Sequence, residues 1–516
     1  IFDSVAIRDP KRRGINMDGL SIVFREITRL LTEPYMLFTM VWATFLGIVV
    51  GVLPGLTATM SIALLSGLTY GVEPRVAIPI LISVYCGAIY GGSQSAILIN
   101  IPGTPAAAAT TLDGYPLARK GEAGPAIGLA TTASFIGGVL GVLAVAVATP
   151  ILAQVALEFG SWEYFLLAVF GIVISGNLTA EDLPIKGWIS GFIGLLLSMV
   201  GLEGIHAFPR FSYGNVQLAA GISLIPALIG LFGITEVLAV LKDPKPRRVE
   251  SQIGRIIPKV GEVLGHWKAT LKAALVGIGI GIIPGVGEDV AAWVSYDVCK
   301  RTSPQREKFG TGCYEGIVAA ETANNACIGG AIIPMLALGI PGSGAAAVLL
   351  GGIWLHGIRP GPMIFFEFPA FPYELIGQLI VANIMMLILG LTLTRFTVRV
   401  LEIKKEIFMP LVVALCVIGA YAVNTRIFDV YLMLGFGLLG YALRIGKFPA
   451  APMTLGIILG PMADENFRRA LSIADGSLAP FFTRPISLGL VVLIVLLMLS
   501  QNKKLMAKIF RRGVSA

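Results

Sequence analysis

The sequence predicts an all-α polytopic membrane protein made of two homologous repeats, with helices broken by Pro-Gly pairs and with re-entrant hairpins. Of its 516 residues, 55% are hydrophobic and only 14% are charged, whereas soluble domains carry about 25% charged residues. The mean hydropathy is +0.82. The 62 Gly and 30 Pro are too many for uninterrupted helices. A soluble globular protein is excluded.

The first predicted element is an amphipathic helix. Residues 20–31 (LSIVFREITRLL) place apolar side chains at helical spacing, with Arg25, Glu26 and Arg29 between them. This pattern predicts a helix that lies in the membrane interface, within an N-terminal segment of residues 1–33.

Apolar spans follow in order along the rest of the chain. They lie at about residues 36–53, 56–70, 76–90, 126–156, 162–174, 185–200, 218–241, 271–283, 290–298, 319–338, 345–355, 375–400, 408–423, 430–443, 452–461 and 488–499. Several are shorter than the roughly 17 to 25 residues that a helix needs to cross the hydrocarbon. Short spans beside Pro-Gly pairs predict hairpins and half-helices.

Three motifs recur in the same order in the two halves of the chain. The first half has GVLPGLTA, NIPGTPAAA and GEAGPA, and the second has GIIPGVGE, GIPGSGAAA and GIRPGP. Their prolines are offset by 230, 239 and 237 positions. This indicates a duplication, with membrane repeat 1 at 34–241, a basic linker at 242–267, membrane repeat 2 at 268–471 and a C-terminal helix and basic tail at 472–516.

The repeated Pro-Gly pairs have a chemical consequence inside a membrane. Pro cannot donate a backbone N–H and Gly permits conformations closed to other residues, so carbonyls before the break and N–H groups after it lose their partners. Such groups are tolerated in a membrane only where they face a cavity or a ligand. Helix restarts suit carboxylate oxygens, and freed carbonyls with Thr, Ser or Asn oxygens suit Na⁺.

Four breaks, two in each repeat, therefore predict one site for a carboxylate and a cation. A single Pro-Gly is more often a kink, but the repetition beside polar residues favours function. The candidate substrate- and ion-binding residues are Pro54, Gly55, Thr57, Ser93, Asn100, Pro102, Gly103, Thr104, Pro284, Gly285, Gly287, Asn324, Asn325, Pro341, Gly342 and Ser343.

Acidic residues within the apolar body are few. Glu288, Asp289 and Glu321 are candidates for coupling transport to a cation or proton. Carboxylates inside a membrane are costly, and those that occur usually have a function. An equally good interpretation makes Glu288 or Asp289 a helix-cap acid and leaves Asp297 in water. Asp113 is interpreted as a loop residue, together with Glu181 and Asp182.

Three short basic segments account for the net charge of +8, at residues 242–272, 300–308 and 503–512. By the positive-inside rule they are candidates for the cytoplasmic side. Their charges border apolar spans and do not form a basic face, which argues against nucleic-acid binding. No zinc spacing, disulfide framework or phosphate-binding loop is present, and no cofactor is expected.

Two other classes of function are weighed against a carrier. An anion channel is the main rival, since broken helices also line pores. An intramembrane aspartyl protease is suggested by GVGED and the later Tyr296-Asp297, but the spacing and order do not match that class, so we expect no enzyme.

Four segments resemble the signature sequences of the large, TctA-type membrane subunit of bacterial tripartite tricarboxylate transporters. They are GVLPGLTATMSIALL, YGGSQSAILINIPGTPAAAATTLDGYPLARKGEAGPAIG, FGTGCYEGIVAAETANNA and LALGIPGSGAAAVLLGGIWLHGIRPGP. The similarity covers residues 34–480. Two features depart from the family: acids follow the third break, and the charged N-terminal segment is long.

The resemblance implies a multi-pass permease of the bacterial cytoplasmic (inner) membrane, with about twelve transmembrane helices in inverted repeats. Basic residues precede both repeats, and taken by themselves they would favour parallel repeats. It implies two partners, a small four-helix membrane subunit and a periplasmic solute-binding protein. The expected substrate is a citrate-like tri- or dicarboxylate, taken up with an ion, Na⁺ by expectation and H⁺ as the alternative. An elevator-like movement of the hairpins is also expected.

Overall fold

The computed structural model describes residues 17–180, 183–242, 254–401 and 405–500. The basic tail, Glu181, Asp182 and part of the linker, about which the sequence made predictions, lie outside these ranges.

The first half contains α1 (Met17–Thr32), α2 (Pro34–Val52), α3 (Ala58–Leu68), α4 (Pro74–Ile99), a 3-10 turn (Pro105–Ala107), α5 (Thr111–Arg119), α6 (Ala123–Ala156), α7 (Ser161–Thr179), α8 (Pro184–Ser198), strands β1 (Gly201–Leu202) and β2 (Pro209–Arg210), α9 (Val216–Ala219), α10 (Leu224–Leu228), a π-helical turn (Ile229–Ile234) and α11 (Thr235–Lys242).

The second half is also helical. It contains α12 (Val260–Leu264), α13 (Trp267–Ile282), α14 (Gly287–Thr302), a 3-10 turn (Arg306–Lys308), α15 (Tyr314–Leu338), α16 (Gly344–Leu355), α17 (Ile364–Glu367), α18 (Phe371–Thr392), α19 (Thr394–Val400), α20 (Lys405–Asn424), α21 (Ile427–Ile445), α22 (Ala450–Ile473), α23 (Pro480–Thr483) and α24 (Pro485–Ser500). β1 and β2 pair antiparallel, with Gly201 opposite Arg210.

Seven of the described helices are long and apolar enough to cross a membrane. They are Pro34–Val52, Pro74–Ile99, Ala123–Ala156, Ser161–Thr179, Leu224–Leu241, Phe371–Thr392 and Ile427–Ile445. Shorter apolar helices, including α3 and α16, match the half-helices that the sequence predicts. The chain is therefore a polytopic helical membrane protein.

Two helices, α4 and α15, form the centre of the molecule. All side chains of α4 from Ala77 to Leu98 are buried, as are all those of α15 from Gly316 to Leu338. Small residues allow this burial because they bring backbones together. A side chain at Gly51 of α2 would begin 2.3 Å from the Ala88 carbonyl of α4. The sequence placed the end of this helix near Tyr90, but α4 continues to Ile99.

Local backbone features recur at similar offsets in the two halves. Gly55 and Gly285, 230 positions apart, both have positive φ, at 99° and 70°. Asn100 and Gly339, 239 positions apart, both end a helix in the left-handed conformation, with φ of 55° and 72°. The two halves thus interrupt their helices in the same way at corresponding positions.

The start of α8, the end of α21 and the end of α11 lie at one end of the molecule, next to the basic linker. Lys186 Nζ at the start of α8 donates to the Gly446 carbonyl (2.9 Å), and α11 leads into the linker. At the opposite end of the molecule, Ser223, which directly precedes α10, donates a hydrogen bond to Asp429 Oδ1 of α21 at 3.0 Å. We call these the linker end and the far end.

Candidate functional site

The first break separates α2 from α3. The Leu53 N–H bonds back to the Val50 carbonyl at 3.2 Å, which closes α2, and Gly55 then turns the chain at positive φ. Thr57 is the N-cap of α3, and its Oγ1 accepts from the Met60 N–H at 3.1 Å. The hydroxyl therefore satisfies one of the donors that the restart leaves open.

The second break follows α4 and lies against the first. The Gly103 N–H donates to the Gly92 carbonyl at 3.3 Å, which folds the segment back onto α4. A Cβ at Gly103 would lie 1.9 Å from the carbonyl oxygen of Gly51. Only glycine fits at this contact, so the two breaks of the first half touch through backbone atoms.

The third and fourth breaks are joined directly by hydrogen bonds. The Gly285 N–H donates to the Pro341 carbonyl at 3.3 Å, and the Gly287 N–H donates to the Gly342 carbonyl at 3.2 Å. Ser343 caps α16 by accepting from the Ala346 N–H at 3.0 Å. Backbone groups freed by one break are thus used by the other.

The breaks of the two halves also meet. A Cβ at Gly344, beside the fourth break, would lie 3.8 Å from Thr59 Oγ1 of the first. The 3-10 turn Pro105–Ala107, just after the second break, packs against α14 and α15. Prolines 54, 102, 284 and 341 therefore lie in one contiguous region between the halves.

Glu288 lies at the junction of the two halves. It is buried in the first turn of α14, and Tyr85 of α4 donates a hydrogen bond to its carboxylate. The Tyr85 hydroxyl also lies 2.9 Å from Ser343 Oγ at the fourth break. The next residue, Asp289, is exposed. The structure thereby separates two neighbouring acids that the sequence treated alike.

A second buried carboxylate, Glu321, is surrounded by neutral donors. Thr110 Oγ1 donates to it at 2.5 Å and Ser134 Oγ at 3.0 Å. Asn324 Nδ2 on the same helix donates to the Ala106 carbonyl at 3.0 Å, which ties α15 to the second break. Asn325 Nδ2 donates to Asn324 Oδ1 at 2.8 Å.

Three buried oxygen atoms near these groups have no hydrogen-bond partner. They are Thr104 Oγ1, Thr322 Oγ1 and Asn325 Oδ1. Unpartnered buried polar atoms are costly, and native proteins keep them mainly where a ligand or water completes the bond. No described group of three or more His, Cys, Asp or Glu side chains could hold a metal, so a cation here would depend on these neutral oxygens.

Two predicted site residues have local roles in the structure. Ser93 Oγ is buried and donates to the Tyr90 carbonyl of its own helix at 2.8 Å. Asn100 is exposed at the C-cap of α4. Its backbone is in the left-handed conformation, which asparagine adopts more easily than most residues, so the asparagine is explained by the helix end. Neither side chain contacts another break in the described contacts.

The prediction that Asp113 lies in a loop is wrong. It is a fully buried residue of α5, and its Oδ1 accepts from the N–H groups of Gly310, Gly312 and Cys313 at 2.8 to 2.9 Å. Tyr296 donates to its Oδ2 at 2.7 Å. The sequence missed both this clasp and Tyr85, because their partners lie about 200 positions away.

The geometry also bears on the protease alternative. Asp289 and Asp297 are on one helix, α14, eight positions apart, which is about 12 Å along its axis. Asp297 is exposed and pairs with Arg301 at 2.8 Å. These carboxylates do not form a catalytic pair.

The fold and site define a class: a polytopic membrane protein whose interrupted helices meet at an interior polar region. The model of the tripartite tricarboxylate transporter TctA family matches residues 37–455. The chain belongs to this family, which is a family of transporters.

Two curated relatives from Agrobacterium vitis are similar to this chain. An uncharacterized 52.8 kDa protein in the TAR-I ttuC' 3' region is 36% identical over 456 residues, covering 86% of this chain and 89% of the relative. An uncharacterized protein in the TAR-II ttuC' 3' region is 38% identical over 231 residues, covering 44% of this chain and 95% of the relative. Comparison with solved structures finds no significant match.

Proposed function

We propose that the protein is the permease of an ion-coupled system that takes up tri- or dicarboxylates across the bacterial inner membrane. Membership of the transporter family over residues 37–455 supports the general function. The observation that carries the proposal is the contact between all four helix breaks. The restarts of α3, α14 and α16 converge there, and the positive ends of helix dipoles favour anionic groups in membrane sites.

The substrate carboxylates bind between the halves, at Gly55–Thr57, Gly103–Thr104, Gly285–Gly287 and Gly342–Ser343. Asn324 and Asn325 add amide donors. Thr104 Oγ1 is buried without a partner, so its hydroxyl is available to donate to a carboxylate. A citrate-like substrate is anionic, and neutral donors bind it without creating a fixed ion pair that would slow release.

The coupling ion in this proposal is Na⁺. The unpartnered Thr322 Oγ1 and Asn325 Oδ1 supply neutral oxygens, which suit a hard cation. Glu288 and Glu321 form no ion pair with Lys or Arg within the described ranges. A proton is the alternative ion, because a buried carboxyl without a basic partner is readily protonated.

Inverted repeats and an elevator movement complete the proposal. The matched offsets of Gly55 with Gly285 and of Asn100 with Gly339 support the duplication. Helix α2 begins at the far end beside α1, whereas α13 begins at the linker end, which supports opposite orientations of the first hairpin in each half. Such repeats alternate access by moving around a fixed site.

Two partners are proposed, a small four-helix membrane subunit and a periplasmic binding protein that delivers the substrate. The linker end is assigned to the cytoplasm by its basic residues. The far end then faces the periplasm and exposes Phe208, Tyr213 and Val216, at 68%, 87% and 84%. These side chains offer a contact surface for the binding protein.

Counterflow distinguishes the carrier from an anion channel. Proteoliposomes that contain the permease with its small subunit are loaded with unlabelled citrate, and labelled citrate is added outside with purified binding protein. A carrier accumulates label against its gradient because efflux of unlabelled substrate drives exchange. Equilibration without accumulation, in vesicles that conduct citrate, would establish a channel and overturn the proposal.

A further inference from the structure

Backbone contacts set the register in which the two halves of the molecule correspond. The Gly103 N–H donates to the Gly92 carbonyl at 3.3 Å, and the Gly342 N–H donates to the Ala331 carbonyl at 3.2 Å. Both the donor and the acceptor of the second bond lie 239 positions after those of the first. Helix α15 and the fourth break therefore correspond to α4 and the second break at an offset of 239.

A second pair of contacts sets the register of the preceding helices. A Cβ at Gly51 of α2 would lie 2.3 Å from the Ala88 carbonyl oxygen, and a Cβ at Gly281 of α13 would lie 2.6 Å from that of Cys327. Ala88 and Cys327 are again 239 positions apart, whereas Gly51 and Gly281 are 230 apart. Helices α13 and α14 therefore correspond to α2 and α3 at an offset of 230.

These offsets pair three positions around the breaks. The pairs are Tyr85 with Asn324, Thr104 with Ser343 and Ala58 with Glu288. In a duplicated site the two members of a pair are expected to make equivalent contacts. A difference between them therefore shows where the two halves have diverged.

The second-half cluster is closed by hydrogen bonds. Tyr85 donates to the buried carboxylate of Glu288, and the Tyr85 hydroxyl lies 2.9 Å from Ser343 Oγ. Glu288 is in the first turn of α14, where the positive end of the helix dipole stabilises an ionised carboxylate. A carboxylate of the protein itself thus lies at the junction of the third and fourth breaks, in contact with a hydroxyl donor and a helix start.

The first-half cluster has no carboxylate at the corresponding position. Helix α3 begins with Ala58, and its first turn contains no acid. Thr104, the counterpart of Ser343, is 2% exposed, and its Oγ1 has no hydrogen-bond partner within the described part of the chain. A hydroxyl donor and a helix start are therefore present in the first half without the carboxylate that they contact in the second.

The two clusters are adjacent. A Cβ at Gly344 would lie 3.8 Å from Thr59 Oγ1 in the first turn of α3, and a Cβ at Gly287 would lie 3.4 Å from Ser343 Cβ. The start of α3 and the start of α14 thus both contact the start of α16. A carboxylate bound at the start of α3 is separated from Glu288 by little more than the start of this one helix.

We propose that Glu288 occupies, in the second half, the position that a substrate carboxylate takes in the first. The substrate is recognised through one carboxylate, at the start of α3 beside Thr104 and Asn324. A second carboxylate is repelled from the counterpart position, because like charges in contact are unfavourable. Glu288 thus determines how many carboxylates the site recognises. The inference deepens the proposed function and rests on it for the identity of the transported anion.

The test compares succinate with succinamate, in which a neutral amide replaces one carboxylate at nearly the same shape. Dissociation constants of both are measured by calorimetry on the full chain in nanodiscs. E288Q removes the charge but keeps an acceptor for Tyr85, so it lowers the ratio of the succinate constant to the succinamate constant at least about tenfold. An unchanged ratio in E288Q overturns the proposal.

D297N is the matched control for the loss of one negative charge. Asp297 lies on the same helix, α14, and forms an exposed pair with Arg301 at 2.8 Å. The ratio is unchanged in D297N, because this acid is not at the breaks. An equal fall of the ratio in D297N and E288Q overturns the proposal, since the net charge of the chain would then explain both.

T104V tests where the recognised carboxylate binds. Valine keeps the shape of threonine but cannot donate, so both dissociation constants rise about tenfold and their ratio stays the same. The melting temperature is unchanged or higher, because the hydroxyl that is removed is buried without a partner. Wild-type binding of both ligands by T104V overturns the proposal.

The two proposals fail separately. Calorimetry requires no transport, so an absence of counterflow in a wild type that binds both ligands counts against the permease function alone. Wild-type counterflow together with an unchanged ratio in E288Q counts against the role of Glu288 alone. Binding of neither ligand by any variant overturns that role, whatever counterflow shows.

Discussion

Asn325 shows how a single side chain connects the breaks to the core. Its Nδ2 donates to the Glu321 carbonyl at 3.1 Å and to Asn324 Oδ1, while its Oδ1 is buried without a partner. Buried amides usually have both ends satisfied. The unpartnered oxygen is therefore the atom we assign to the ligand or the coupling ion.

We expect N325A to reduce citrate uptake in proteoliposomes at least about tenfold, as loss of one buried polar contact commonly does. The matched control is N466A, since Asn466 Nδ2 makes the same bond to the carbonyl four positions earlier, at 2.8 Å, away from the breaks. Monodisperse elution and an unchanged melting temperature would show that both variants fold. Wild-type uptake by folded N325A removes Asn325 from the site.

Glu203 in the far-end hairpin gives a prediction about pH. Burial by itself raises the pKa of Glu203. Hydrogen bonds from the N–H groups of Ile205 (3.1 Å) and His206 (3.2 Å) and the nearby charge of Arg468 lower it by more, so the pKa lies below its usual range. A depressed carboxyl pKa stabilises the fold above the unfolded value of about 4.3, and this contribution is lost as pH falls through the native value.

Amide exchange of residues 201–210 should therefore accelerate, relative to the E203Q variant at each pH, as the pH falls from 6 to 3. At the upper end the wild type should be the more protected protein, and at the lower end the two should converge. A difference that stays constant over this range would show that the ionised carboxylate does not hold the hairpin.

At the scale of elements, the Pro-Gly breaks depend on glycine for close packing. Gly103 and Gly342 occupy matching places: a Cβ on either would lie 1.9 Å from a carbonyl oxygen, that of Gly51 and of Gly281 respectively. Real Cβ atoms do not approach backbone this closely, so an alanine would force the hairpin away from its helix.

We expect G103A and G342A each to destabilise the protein by about 1 to 3 kcal/mol, which should appear as a lower melting temperature. Both variants should also impair uptake. Gly279 is the control, because it is exposed on α13 and nothing lies within 4 Å of its added Cβ. G279A should be neutral or slightly stabilising, as alanine is the better helix former. Equal effects at all three positions would contradict a packing cause.

At the scale of the whole molecule, the proposed movement can be tested by a crosslink. A Cβ at Gly171 of α7 would lie 3.5 Å from Pro284 Cβ at the third break. This distance lies in the range found in disulfides. The double variant G171C/P284C should thus join α7 to the third break upon oxidation.

Oxidised G171C/P284C should lose uptake and reduction should restore it, if the third break moves relative to α7 during transport. The single variants, treated with the same oxidant, control for the substitutions themselves. Full uptake by protein shown to be crosslinked would eliminate a relative movement of these two elements, and with it the elevator form of the proposal.

Much of the helical architecture could be predicted because its signals are local. Hydropathy gave the membrane class, and the repeated Pro-Gly pairs placed breaks near Pro54, Pro102, Pro284 and Pro341. Helix ends were less predictable: α4 continues to Ile99 since Gly, Ser and Gln side chains that look interrupting in sequence are buried against neighbouring helices. Polarity in a sequence does not tell whether packing satisfies it.

The sequence by itself determined the transporter family and the positions of the four breaks, because Pro and Gly act on the backbone of their own segment. Only the tertiary structure decided which polar groups share one site. Tyr85 and Glu288 are 203 positions apart, and Arg444 and Glu236 are 208 apart. Contacts over such distances depend on how helices pack in three dimensions, and no local pattern encodes them.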